Sequence, residues 1–247
     1  MSGQENPQSS LKDHRILLDR LSHEMITPIY AIRFQVEFLL RHYNDLKDDI
    51  KVRKLNALLG ECDLLLLLTE SLSISSNIEK RIELRKRKTN FYYEVLEPAI
   101  RALKQKADLK RVSILHDEIH HSPELFVDPE RAKHIFINVI LNAIEYSFEG
   151  TRIDVFYEKS LKGYIICVRN YGIGVPMGED KAIFKSGVRG SNASAMCASG
   201  PGLGLSVCKR LIRAHGGKIW FERGKTAKEG NEITFKLLFP FAFEEQE

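Results

Sequence analysis

No stretch of this chain approaches the roughly 20 consecutive apolar residues that a bilayer-spanning helix needs. The run Leu64 to Leu68 is far too short, so no membrane contact is expected within the chain. The N-terminal MSGQENPQSS is polar and unlike a secretory signal peptide. Cysteine is scarce. Cys62, Cys167, Cys197 and Cys208 stand without CxxC or metal-ligand spacing, which points to free thiols in a reducing, cytoplasmic setting. Charge of one sign is also lacking: 37 Lys and Arg against 33 Asp and Glu leave a net +4, with the signs interleaved. A nucleic-acid partner is therefore not expected. The local exception, Lys80 to Lys88, reads as a solvated linker. There is no internal repeat. What remains is 247 residues, 43% hydrophobic and 28% charged, enough for one large globular domain or two modest ones.

Two halves read differently. From about Leu11 to Ile82 the pattern is helical, with one break at Tyr43-Asn44-Asp45. Leu18, Leu21, Met25, Ile29, Ile32, Val36 and Leu39 recur every three or four positions as a heptad-like seam. Val52, Leu55, Leu59, Cys62, Leu66 and Leu72 continue it in a second helix. A hairpin of two such helices carries too much apolar surface to stand alone, so a homodimer, a four-helix bundle, is expected. Beyond about Asn90 the pattern is mixed. Helices are expected over Phe91 to Leu109, Pro129 to Tyr146 and Leu203 to Ala214. Strands are expected at Ile153-Val155-Tyr157, Tyr164-Ile166-Val168, Lys218 to Glu222 and Glu232 to Leu238. Pro176 to Gly200, rich in Gly, Ser and Ala, reads as a long functional loop or lid.

Several clusters carry chemistry. Ser22-His23-Glu24-Met25-Ile26-Thr27-Pro28-Ile29 lies inside the first helix, with His23 nearly opposite the seam and Thr27 one turn away on the same side. Pro28 removes the backbone hydrogen bond to Glu24 and should bend the helix there. A neutral imidazole is a good nucleophile toward a γ-phosphoryl group, and the neighbouring Glu24 can accept the proton of the other ring nitrogen. An ordinary surface histidine is the plainer alternative for such a residue standing alone. In the apolar helix around His134 to Tyr146, Asn138 and Asn142 sit at i, i+4 on one face. Their amides need partners, either a polar network in the core or Mg²⁺ and phosphate. Asn170-Tyr171-Gly172-Ile173-Gly174 follows a strand, where Gly172 and Gly174 let backbone approach a flat base. Gly200-Pro201-Gly202-Leu203-Gly204-Leu205 opens a helix, exposing N–H groups to anionic phosphate.

Taken in this order, the clusters resemble the boxes of sensor histidine kinases, over nearly the whole chain from Leu11. The resemblance implies an α+β architecture. It consists of an N-terminal dimerising helical hairpin (residues 11–85) and an α/β sandwich ATP-binding domain of the Bergerat type (86–243). It implies ATP and Mg²⁺ as cofactors, Asn142 as principal metal ligand assisted by Asn138, and Tyr146 packed along the nucleotide. It makes His23 the phosphoacceptor, Glu24 the residue that orients its ring, and Thr27 a support for dephosphorylating a response regulator receiver domain. Ile183-Phe184 resembles the lid phenylalanine motif, with Arg189 placed to reach phosphate, and Gly202, Leu203, Gly204 and Leu205 belong to the phosphate loop. The chain would be cytoplasmic, by itself or as the cytoplasmic portion of a larger sensor.

Four positions depart from the pattern. Ile26 replaces a common basic residue. Asn170 stands where an Asp usually accepts the adenine amino hydrogen, Glu145 where Lys is common, and Pro201 where a small hydroxyl residue is usual. An Asn amide that can flip would also accept a guanine, so relaxed base discrimination is expected. Two rivals to the autokinase follow: a pseudokinase or scaffold with weak or no ATP turnover, motivated by Asn170, Glu145 and Pro201, and an enzyme acting mainly as a regulator phosphatase through Thr27. The remaining histidines (His14, His42, His116, His120, His121, His134, His215) show no partner pattern and read as structural or surface residues.

Overall fold

Apolar residues at helical spacing make the first third of the chain two long helices, α1 (Pro7–His42) and α2 (Asp48–Ser76), joined at a 3-10 turn, Tyr43–Asp45. The fold is that of a computed structural model, which describes residues 7–76, 82–116, 124–193, 202–227 and 230–241, with backbone alone for residues 7–24, 67, 70, 74–76 and 227. α1 continues as helix through Pro28, which is buried. The expected seam is not one buried line. On α1, Leu39 is buried and Met25 and Ile32 are half-buried, while Ile29 and Val36 are exposed. On α2, Val52, Leu55, Leu59, Cys62 and Leu66 are all exposed. The reason is geometric: two paired helices cover only the strips that face each other, and the apolar stripe here is wider than that. The side chains of Leu18, Leu21 and His23 lie outside the described residues.

The second half begins with β1 (Arg87–Asn90), so the last part of the basic stretch read as linker is strand. A π-helical turn at Tyr92–Leu96 leads into α3 (Glu97–Leu109), followed by β2 (Ser113–Leu115), β3 (Glu124–Val127) and α4 (Pro129–Tyr146). The remaining elements are β4 (Arg152–Ser160), β5 (Gly163–Gly172), a 3-10 turn at Ala182–Phe184, α5 (Gly204–Ala214), β6 (Lys218–Ala227) and β7 (Gly230–Pro240). Five strands form one sheet in the order β2-β4-β5-β7-β6, antiparallel except for the parallel β2–β4 pair. β1 and β3 pair antiparallel beside it.

Alternation decides which face is covered. Ile153, Val155, Ile166, Val168, Ile233, Phe235, Leu237 and Phe239 point into one core with α3, α4 and α5. Lys236, between Glu158 at 3.2 Å and Glu222 at 3.0 Å, lies on the opposite, polar face. At the centre, Phe91 meets Phe136 and Phe239 edge-on, with ring centroids 5.4 and 5.2 Å apart. Such pairs add about 0.5–1.5 kcal/mol beyond the area they bury.

α2 also packs on the second half. Gly60 lies so close to α3 that a Cβ there would sit 2.6 Å from the Ala102 carbonyl oxygen. Leu64 joins the core, and Lys133 reaches Asp63 at 3.5 Å from a largely buried position. Among the described residues no helix is long and apolar enough to cross a membrane.

Candidate nucleotide and phosphoacceptor site

The site is built around the C-terminal half of α4. Asp128 caps this helix, accepting from the Arg131 N–H at 3.1 Å, and Pro129 occupies its first turn, where no amide donor is needed. Asp128 also accepts from the Arg85 N–H at 2.8 Å, while its own N–H donates to Nε2 of His215 at 3.2 Å. His215 Nδ1 bonds the Leu211 carbonyl at 2.8 Å, so the ring is neutral and ties the end of α5 to the start of α4. Burial holds its pKa below the ordinary histidine value. Its part is structural, one of the two roles expected of it from the sequence.

With α4 aimed in this way, Asn138, Asn142 and Tyr146 project into a cavity of about 160 Å³. The far end of β5 brings Asn170 and Gly174 to the same cavity, and the lid brings Arg189. Gly202, Leu203, Gly204 and Leu205 at the start of α5 close it. Ten of the residues singled out from sequence are thereby brought together. Gly172 is the exception among the nucleotide residues: it does not line the cavity. It sits against the Tyr146 carbonyl, where any Cβ would collide, and so lets β5 pass the end of α4. Gly204 has a like role, since a Cβ there would come 2.8 Å from Oδ1 of Asn138. The Asn138 amide nitrogen meanwhile donates to the His134 carbonyl at 3.2 Å. Gly200 and Pro201 lie outside the described residues.

The lid segment is tethered where it leaves β5. Asn192 Nδ2 donates to the Gly174 carbonyl at 3.2 Å, and the Ser191 N–H donates to Glu179 at 3.0 Å. Arg223 donates to the Val175 and Pro176 carbonyls and pairs with Asp180. Ile183 is buried at the cavity wall, and Phe184 meets Phe235 edge-on at 6.5 Å. Glu145, the acidic departure, lines the cavity beside Lys110. The Lys110 ammonium donates to the Glu145 carbonyl, and burial lowers its pKa while the Glu145 charge raises it. The negative charge near the expected triphosphate therefore has a cation within reach.

Sequence reasoning missed Leu68 and Ser71 of α2, which form one wall of the cavity. No local motif marks them. They become site residues because α2 packs on the second half, with Gly60 close against α3. At ~1.5 Å per residue, His23 stands ~29 Å from the turn along α1, and Leu68 ~30 Å from it along α2. The phosphoacceptor candidate and the cavity wall thus lie at about equal lengths of helix from the turn. Glu24, like His23, has no described side chain; Thr27 is exposed on α1, away from the cavity lining.

Residues 127–241 match the family model described as Histidine kinase-, DNA gyrase B-, and HSP90-like ATPase. The chain is 31% identical over 208 residues to the Adaptive-response sensory-kinase SasA of Prochlorococcus marinus subsp. pastoris, covering 83% of this chain and 53% of that protein. It spans about half the length of the curated relatives it matches. Among solved structures, full-length ShkA in complex with AMPPNP aligns with TM-score 0.57 at 20% identity, over 87% of this chain and 46% of that one. The histidine kinase ThkA in complex with the response regulator protein TrrA aligns with TM-score 0.54 at 22% identity, over 94% and 64%. At these identities the structures speak for the fold.

Proposed function

Because this chain belongs to the sensor histidine kinases, as a catalytic core with an ATPase-type domain, we propose that it is an ATP-dependent autokinase acting on His23. The phosphoryl group then passes to an aspartate of a response regulator receiver domain. The observation that carries this reading is that the α4 asparagines, the end of β5, the lid and the N-terminus of α5 meet in one cavity, walled by Leu68 and Ser71 of α2.

The residues divide the work as follows. Tyr146 and the end of β5 hold the base and sugar, and the N–H groups opening α5 receive the phosphates. Arg189 reaches the γ-phosphate from the lid. Asn142, with Asn138 behind it, would hold Mg²⁺ through amide oxygens, a ligand type that this ion accepts. When bound, the ion neutralises charge on the transferring group. The imidazole of His23 attacks the γ-phosphorus in line as the neutral nucleophile. The bond from that phosphorus to the β,γ-bridging oxygen breaks and ADP leaves, while the other ring nitrogen donates to Glu24, which steadies the positive charge that develops.

The chain works as a homodimer in this reading. Tyr30 (64% exposed), Phe34 (67%), Leu40 (80%) and Leu59 (63%) leave an apolar face on the hairpin that a second copy would cover. Thr27, exposed on α1, supports dephosphorylation of the regulator by positioning a water. The neighbour crystallised with a response regulator supports a partner of that class. Of the grounds for the pseudokinase reading, Asn170 and Pro201 stand as they were, while Glu145 has the Lys110 ammonium beside it, donating to its main-chain carbonyl.

Incubation with γ-labelled ATP and Mg²⁺ tests the proposal. Acid-labile, alkali-stable label that vanishes in His23→Gln is the expected result. An unlabelled wild-type dimer, or label that survives His23→Gln, overturns it.

A further inference from the structure

Asn170 is the residue whose amide decides what the base meets, and an amide has two unlike ends. It sits on β5, a central strand, with Ile153 of β4 on one side and Ile233 of β7 on the other, so its Cβ is fixed by two ladders. Its side chain is buried, and its Nδ2 lies 3.3 Å from Oγ of Ser147, the residue just beyond α4. Ser147 is itself fully buried. Its backbone bridges to Gly172, and the flanking Phe148 and Ile173 N–H groups bond the Tyr171 and Tyr146 carbonyls at 3.1 and 3.2 Å. The separation between Ser147 and Asn170 is therefore set by main chain from both sides.

A hydroxyl has one proton and two lone pairs. The Ser147 proton is committed to the Ala143 carbonyl, 2.5 Å away, in the last turn of α4. What Ser147 has left for Asn170 is an acceptor. Only the NH₂ end of the amide satisfies an acceptor, so the NH₂ end is turned to Ser147 and the oxygen is the polar atom left for the cavity that Asn170 lines. A flipped amide would set its oxygen against the Ser147 oxygen unless the hydroxyl proton left the Ala143 carbonyl, so turning the amide costs a buried hydrogen bond.

We propose that Ser147 is a positioning residue for base specificity: it holds the Asn170 amide so that a hydrogen-bond acceptor faces the nucleotide, and thereby selects a 6-amino purine over a 6-oxo purine. The amino group at position 6 of adenine donates, whereas the 6-oxo group of hypoxanthine or guanine accepts. The relaxed discrimination expected from Asn170 in isolation gives way to adenine selectivity, with a neutral amide doing what a carboxylate would do. This inference rests on the nucleotide reading of the cavity.

Titration of the 247-residue chain with ADP and IDP, whose purines differ in the 6-substituent and in the proton that the 6-oxo form carries on N1, tests it without calling on catalysis. Wild type is expected to bind ADP at least about tenfold more tightly than IDP, the scale of rejection when a buried polar group loses its partner. Ser147→Ala, which frees the amide to turn, should bring the ratio to within about threefold. Ser147→Thr keeps the hydroxyl and should keep the ratio. In an Asn170→Asp background the carboxylate has no donor end to turn, so adding Ser147→Ala should leave the ratio where it was. Equal affinities in wild type overturn the proposal, as does a wild-type ratio retained in folded Ser147→Ala. Should that variant not fold, the wild-type ratio and the Ser147→Thr comparison still decide. Binding of neither nucleotide by wild type removes the nucleotide reading itself, and this inference with it.

Discussion

The contact between the hairpin and the ATP-binding half predicts the sign of a single substitution. Gly60 lies on α2, where a helix interior ordinarily prefers alanine, and Gly60→Ala at a solvent-facing position would stabilise by about 1 kcal/mol. Here the added Cβ would sit 2.6 Å from the Ala102 carbonyl oxygen and 3.4 Å from its carbon atoms. An ordinary carbon contact begins at about 3.4–3.5 Å, so some 0.8 Å must be found locally. The obstacle is backbone, held by the hydrogen bonds of α3, and it cannot swing aside as a side chain would. Overpacking of this kind costs about 1–3 kcal/mol. Set against the helical gain, the net is a loss of up to about 2 kcal/mol. Urea denaturation at neutral pH, with hydrogen exchange along α2, measures it. The midpoint should fall and α2 amides around Gly60 should exchange faster. A Gly60→Ala protein that is more stable than wild type, with α2 equally protected, would refute the close α2–α3 crossing.

Three further outcomes are expected. Thr27→Ala should abolish dephosphorylation of the partner regulator while labelling of His23 persists; unchanged dephosphorylation removes Thr27 from the mechanism. Burial lowers the His215 pKa in the fold, so the unfolded chain takes up the proton first. Its contribution is therefore intact above the ordinary histidine value of about 6.5 and is lost as pH falls below it toward the depressed folded value, with a slope of up to about 1.4 kcal/mol per pH unit. His215→Asn should flatten thermal stability against pH in that window, and parallel profiles would refute the assignment. Among the described cysteines, exposed Cys62 should alkylate readily, whereas Cys167, its thiol pushed up to about 12 by burial, and Cys208, pushed up by complete burial, should react only on unfolding. Mass spectrometry after iodoacetamide treatment of the native protein reads this, and native labelling of Cys208 at the rate of Cys62 would contradict it.

What the chain determines by itself is whatever rests on local spacing. Three- and four-residue periodicity is a property of consecutive residues, and it placed α1, α2, α4 and α5 and the break at Tyr43–Asp45. Two-residue alternation did the same for β4 and β5. The asparagines of α4 and the glycines before α5 were legible because each acts through its own helix turn or its own backbone. The strands β1, β2 and β3, of three or four residues, are too short for a period to show, and only pairing makes them strands. Tertiary structure alone decided how the apolar stripes of the hairpin divide between a buried strip and an outward face. It alone brought Leu68 and Ser71 to the cavity, on a helix whose Gly60 lies close against α3. It set Lys110 beside Glu145, 35 residues apart, and Ser147 behind Asn170, 23 residues apart. A charge or an amide read along the chain carries only its own chemistry. What it presents to a ligand is fixed by the partner behind it, and that partner is chosen by the packing of helix on sheet.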